Sequence, residues 1–285
     1  MTKKITIVAI CCMGLMSSCE FSEECNYTGE VEVIMDWESL WGDLQKPDSL
    51  TALFYGNQTV RKELLGDTLY HNIPAGDTQM VLYNRSEQIE TKGLESLNGA
   101  EIHLPTYFEG NIRAVQEAPM LCSVQNNIHV PIEGTAQWHA SPLPIVKQLV
   151  FTVNVIRQGV MAELKACQAS LSGIATGYSL YRKEPVTSKA TVFFSLEKGK
   201  KESFNHRFFV LGVNPNQETI PKKLSVKVIL EDGETKAAEI DLTRQLNQFT
   251  ENIFQCNVEI IISSLSTEIE ITDWKQGAWN QIIIQ

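Results

Sequence analysis

The most regular feature of the chain is a two-residue alternation of apolar and polar positions, repeated in short runs. In Val31-Glu32-Val33-Ile34-Met35-Asp36-Trp37 it sets Val31, Val33, Met35 and Trp37 on one face, the pattern of a strand with one side buried. Residues 50–55 form a second apolar run. Ile73-Pro74-Ala75-Gly76-Asp77 has turn chemistry, and Met80-Val81-Leu82-Tyr83-Asn84 leaves it as a strand. Prolines gather at Pro105, Pro119, Pro131, Pro142 and Pro144. Proline has no N–H to give a ladder, so this stretch is predicted to hold edge strands and connections.

The second half repeats the style. Residues 149–156 alternate with Phe151, Val153 and Val155 on one side, and 191–196 form a β-branched and aromatic strand. The clearest hairpin runs from Leu224 through Glu231-Asp232-Gly233-Glu234 to Leu242, where Asp-Gly supplies the positive φ of a tight turn. Residues 252–263, 268–272 and 281–284 read as further strands. Only 161–169, bracketed by Gly159 and Gly173, has helical spacing. Many short strands with regular turns predict an all-β fold of two tandem β-sandwich domains. Their bounds are 30–140 and 145–285, divided at Ser141-Pro142-Leu143-Pro144.

The N-terminus has a different pattern. Basic Met1-Thr2-Lys3-Lys4 precedes an apolar run, 5–16, and small Ser17 and Ser18 stand before Cys19. This is the layout of a secretory signal peptide, 1–18, and the run is short of the ~20 residues a membrane-crossing helix needs. Leu15-Met16-Ser17-Ser18-Cys19 resembles a bacterial lipobox, which implies cleavage before Cys19 and diacylation of its thiol. Residues 19–29 are then a tether. Two acyl chains hold a protein on a membrane without spanning it. Glu20, Glu23 and Glu24 resemble the surface-export signal of Bacteroidetes lipoproteins, which implies an outer-membrane protein facing outward; the alternative is a solvated acidic tether on a protein that stays in the periplasm.

Composition narrows the partners. Cleavage before Cys19 removes Lys3 and Lys4 and no acid, taking the formal net charge from −10 to −12. Such a chain repels nucleic acid. Beyond the signal and the lipid site, Cys25, Cys122, Cys167 and Cys256 form no Cys-x-x-Cys; in an exported protein they are either up to two disulfides or buried thiols.

No catalytic set emerges. His71, His103, His129, His139 and His206 show no helical i, i+4 pair and no His-x-His, so no metal site is expected; His129 and His139 fall in the proline-rich connection. Gly177-Tyr178-Ser179-Leu180-Tyr181 lacks the final glycine of a nucleophile elbow, and no phosphate-cradling loop is present. No enzyme and no cofactor are predicted. Trp37 and Trp274 read as core aromatics, whereas Trp41 and Trp138, near predicted loops, are candidates for stacking on a sugar ring. Asp48-Ser49-Leu50 and Asp67-Thr68-Leu69 resemble the Bacteroidetes O-glycosylation acceptor, marking Ser49 and Thr68.

Taken in order, several segments carry a family resemblance. The openings Val31-Glu32-Val33, Asp36-Trp37, Ile73-Pro74-Ala75-Gly76-Asp77 and Val81-Leu82-Tyr83-Asn84 resemble the Bacteroidales lipoproteins of the domain family DUF5119. So do Leu171-Ser172-Gly173-Ile174-Ala175, Phe208-Phe209-Val210-Leu211-Gly212, Leu230-Glu231-Asp232-Gly233, Ile240-Asp241-Leu242-Thr243 and Ile271-Thr272-Asp273-Trp274-Lys275-Gln276-Gly277. That family is similar in layout to fimbrillin-like and fimbrial anchor-subunit lipoproteins. The resemblance implies two transthyretin-like sandwiches, pilin-like partners and assembly by β-strand addition, in which an open sheet edge receives a partner strand. Subunits that polymerise in those pili lose an N-terminal segment after an arginine. The first arginine here is Arg61, inside the first domain, which favours an anchor or accessory subunit. The alternative is a surface lipoprotein that binds glycans or host molecules.

Overall fold

The computed structural model describes residues 27–37, 46–56, 58–64, 66–186, 188–214 and 220–278. The predicted signal and tether, Cys19, Cys25, Trp41 and the strand expected at 281–284 lie outside or partly outside these. The first half opens with β1 (Thr28–Met35), β2 (Leu50–Tyr55), β3 (Thr59–Leu64), β4 (Thr68–Pro74) and β5 (Gly76–Tyr83). An excursion follows with β6 (Glu90–Lys92), β7 (Glu101–His103), β8 (Thr106–Glu109) and β9 (Ile112–Val115). The half closes with β10 (Cys122–Val130), β11 (Thr135–Ala140) and β12 (Leu143–Pro144). The second half begins with β13 (Lys147–Gln158) and β14 (Leu164–Ile174), then a shorter excursion, β15 (Gly177–Ser179) and β16 (Glu184–Val186). It ends with β17 (Ala190–Lys198), β18 (Ser203–Val210), β19 (Lys223–Leu230), β20 (Thr235–Asp241), helix α1 (Thr243–Asn247), β21 (Ile253–Ser263) and β22 (Thr267–Gly277). The fold is all-β, as the alternation predicts.

With the excursions set aside, both halves have one seven-strand topology. Strand β1 lies between antiparallel β4 and parallel β11; β13 lies between antiparallel β18 and parallel β21. The facing strands run β3-β2-β5-β10 in the first half and β17-β14-β19-β20 in the second. The second half's two faces join along one path only where β17 meets β18 at Glu197↔Asn205 and Lys198↔Phe204.

Two cores fill these layers. Between the first half's sheets lie Val31, Val33, Phe54, Tyr70, Ile73, Met80, Leu82 and Trp138. The larger core is centred on Phe151, fully buried and ringed by Phe194, Phe208 and Phe254 at 5.8, 6.2 and 6.3 Å between centroids. Strand β5 serves both, with Met80 and Leu82 in one core and Val81 and Tyr83 in the other. A sheet covered on both faces has continuous apolar strands, which explains why residues 80–83 do not alternate.

The excursions stitch the halves together. Strand β7 pairs with β15, placing Ile102 opposite Tyr178. Strand β9 runs parallel to β17 through Ala114↔Thr191 and Val115↔Val192, and Ala118 bridges to Phe209. Strands β7 and β9 and Ala118, which pattern alone assigns to the 30–140 domain, are therefore hydrogen-bonded to the second half. A buried asparagine closes the base of each excursion. Asn84 Oδ1 accepts from the Cys122 N–H at 2.7 Å and its Nδ2 donates to the Met120 carbonyl at 2.9 Å. Asn214 Nδ2 donates to the carbonyls of Gly173 and Ser188, and its Oδ1 accepts from the Ser188 N–H.

Two expectations change. The helical spacing at 161–169 belongs to strand β14. A bulge between Leu164 and Ala166 shifts the register against β19, so Leu164 and Cys167 both point inward three residues apart. The helix that does form, α1, is too short for a periodicity; Asp241 Oδ1 accepts from the Thr243 N–H at 2.7 Å at its start, and Leu246 is buried. Trp138 sits in β11 inside the first core, 5% exposed, so it offers no sugar platform. Cys122, Cys167 and Cys256 are buried free thiols, so no bridge joins these three.

Candidate functional site

A sheet edge presents unpaired N–H and C=O groups, and proteins usually blunt it with charge, proline or cover. Several edges here follow that rule. Strand β3 carries Arg61, Lys62 and Glu63, and β12 is two residues long with Pro144. Strands β20 and β22 lie beside each other and carry Lys236, Glu239, Glu268 and Glu270.

Strand β8 departs from it. Its one partner among the described residues is β9, and all four of its residues are exposed. The hairpin turns on Gly110-Asn111 between the paired Glu109 and Ile112, with Gly110 in the left-handed region at φ +60°. Pro105 precedes it and sets its entry. At the base, Ala114 and Val115 are fully buried and hold β9 to β17. Beyond that anchor Tyr107, Phe108 and Ile112 stand 38%, 71% and 48% exposed. The result is a rigidly rooted hairpin with an open edge and an apolar surface. Such an edge offers a partner strand main-chain hydrogen bonds and side-chain burial together.

The residues singled out from sequence are scattered by comparison. Ser49 is half-buried before β2, and Thr68 opens β4, where Asp67 Oδ1 accepts from the Met35 N–H at 2.6 Å. Four histidines contact one carboxylate each: His71 with Glu30, His103 with Glu101, His129 with Asp77 and His206 with Glu117. His129 and His139 are exposed positions of strands β10 and β11 rather than turn residues. No group of three metal-ligating side chains occurs among the described residues. Burial pushes the Cys122, Cys167 and Cys256 thiols up to about 12, which removes nucleophilic character at neutral pH. Trp274 stacks on Phe254 at 5.9 Å as a core aromatic. Strand β8 falls in the proline-rich stretch from Pro105 where the sequence predicts edge strands and connections; its residues are not singled out there, and Pro105 and the Gly-Asn turn are the signals that bound it.

The fold belongs to a recognisable all-β class. No protein-family profile matches the chain, and no curated protein matches it. Solved structures do. A candidate adhesin from Bacteroides ovatus superposes with a TM-score of 0.60 at 20% identity, over 77% of this chain and 84% of that one. The fimbrial anchor protein Mfa2 from Porphyromonas gingivalis gives 0.53 at 12% identity, over 88% of this chain and 100% of that one. A candidate polysaccharide-binding protein (DUF1812) from Bacteroides thetaiotaomicron gives 0.55 at 8%, over 89% and 100%. These likenesses are of fold. Among the described residues no helix is long and apolar enough to cross a membrane.

Proposed function

We propose that this chain is a lipid-anchored cell-surface protein of the fimbrillin-like class, an anchor or accessory subunit that takes up a partner strand along β8. The observation that carries this reading is the open edge of β8, with Tyr107 and Phe108 exposed on it. The shared seven-strand topology supports two tandem transthyretin-like domains. The fold likeness to a fimbrial anchor protein supports the same class. The lipobox-like Leu15-Met16-Ser17-Ser18-Cys19 supplies the membrane end through diacylated Cys19, with the acidic Glu20, Glu23 and Glu24 directing it outward. The partner is a pilin-like subunit or another surface protein, and no catalytic step is assigned.

Metabolic palmitate labelling combined with protease treatment of intact cells tests the anchor. The expected result is a labelled protein that is cleaved from outside, with label and membrane retention both lost in Cys19→Ala. An unlabelled protein, or one protected until the outer membrane is opened, contradicts the reading.

A further inference from the structure

A cleft of about 280 Å3 lies between the first half's sheet and the turn joining β15 to β16. Its sheet wall is built of amides. Gln79 of β5 stands directly opposite Asn127 of β10, and Gln125 lies two residues along on the same face. Opposed strand residues hold their Cβ atoms about 5 Å apart, and same-face neighbours along a strand about 7 Å. Three amides thus fall within the span of one sugar ring. Asn126 Oδ1 accepts from the Asn127 N–H at 2.9 Å. Gln125 Nε2 points across the cleft to the Tyr181 carbonyl at 3.4 Å. The side chains of Gln79 and Asn127 make no hydrogen bond with any described residue.

The opposite wall is the turn, and it is rigid. Ser179 pairs with Glu184; the Lys183 N–H donates to the Ser179 carbonyl, the Arg182 N–H to Ser179 Oγ, and Leu180 is buried. Lys183 is held at φ +57°, a left-handed conformation that is uncommon outside glycine. Tyr181, 44% exposed, offers an aromatic face. Of the two adjacent cations in this turn, Arg182 is engaged by Glu184 at 2.9 Å and Glu101 at 4.0 Å. Lys183 has no ion pair among the described residues and is the cleft's one charged lining residue. On a protein with 34 acidic side chains and a formal charge of −10, the cleft is lined by one cation and no carboxylate.

Amides both donate and accept, which matches vicinal hydroxyls; an aromatic face covers the apolar side of a sugar ring; a lone ammonium matches one carboxylate. From this combination we infer that the cleft binds an acidic sugar, with Gln79, Gln125 and Asn127 on its hydroxyls, Tyr181 against its ring and Lys183 on its carboxylate. Trp138 is not in its lining, and the site stands whether or not β8 receives a partner strand.

Saturation-transfer NMR on the full-length protein in detergent tests it, with digalacturonate and sialyllactose as acidic probes, lactose as an uncharged one and acetate as a bare anion. Transfer to at least one acidic sugar is expected, with affinity about tenfold above lactose, the scale of one charge-assisted hydrogen bond. Lys183→Ala should remove that preference and Lys183→Arg restore most of it, while Gln79→Ala with Asn127→Ala should abolish binding. All three positions are exposed, so the melting temperature should hold and identify any variant that fails to fold. No transfer to either acidic sugar, equal binding of lactose or acetate, or binding unchanged in folded variants would overturn the assignment.

Discussion

Asn84 stands where the chain leaves β5 for the β6–β9 excursion, and its amide does what a ladder would otherwise do. It is 5% exposed and bonds both sides of the gap between β5 and β10. Truncating it leaves the Cys122 N–H and the Met120 carbonyl without partners, and an orphaned buried group costs about 1–3 kcal/mol. Asn84→Ala should therefore lower the free energy of unfolding by roughly that amount in urea, with Asn84→Asp milder because it keeps the acceptor. The thiols give a second residue-scale expectation. With Cys122, Cys167 and Cys256 raised to about 12 by burial, native protein at pH 8.5 should resist iodoacetamide at all three and react once unfolded. Because the folded pKa values lie above the ordinary thiol value, their stabilisation is complete below about pH 9 and is lost as pH rises toward 12. Neither property is legible in sequence: an asparagine after an apolar run reads as a turn residue, and a spaced cysteine reads equally as a bridge or a thiol.

Among the elements, those with clean alternation were the most legible. Strand β1, the β19–β20 hairpin with Gly233 at φ +89°, and β21 all follow their patterns. Strand β14 was obscured because two bulges, at Leu164/Ala166 and Ser172/Ile174, break its period. The second bulge also accounts for Gly173: it sits at φ +80°, and a Cβ there would meet Lys222 Cγ at 2.7 Å. The aromatic centre of the second half should be the most sensitive point of the fold. Phe151→Ala empties a site enclosed by three other phenylalanines, and a loss of about 3–5 kcal/mol is expected in denaturant unfolding. The β8–β9 hairpin is the opposite case. Phe108 is mostly exposed, so Phe108→Lys should change stability by less than about 0.5 kcal/mol while placing a charge on the open edge.

At the scale of the whole molecule, two copies of one topology are joined by an excursion that pairs β9 onto β17. The chain already adds a strand from one half to an edge of the other, and β8 is the new edge which that addition leaves. Pattern reading found the all-β class, because that rests on local periodicity. It could not place β7, β9 and Ala118 with the second half, since pairing between distant segments leaves no mark in the period of either. The same limit hid the amide cleft, whose Gln79, Gln125 and Lys183 come from separate stretches.

The central claim is that β8 receives a partner strand. The most direct measurement is isolation of the tagged full-length protein from its own cells in detergent, alongside Phe108→Lys, with bound proteins identified by mass spectrometry. The account predicts a pilin-like or other surface partner that stays with the wild-type chain through washing and is lost from a Phe108→Lys variant of unchanged melting temperature. A wild-type chain that brings down no partner, or a variant that keeps it in full, would contradict the assignment of β8 as the assembly edge.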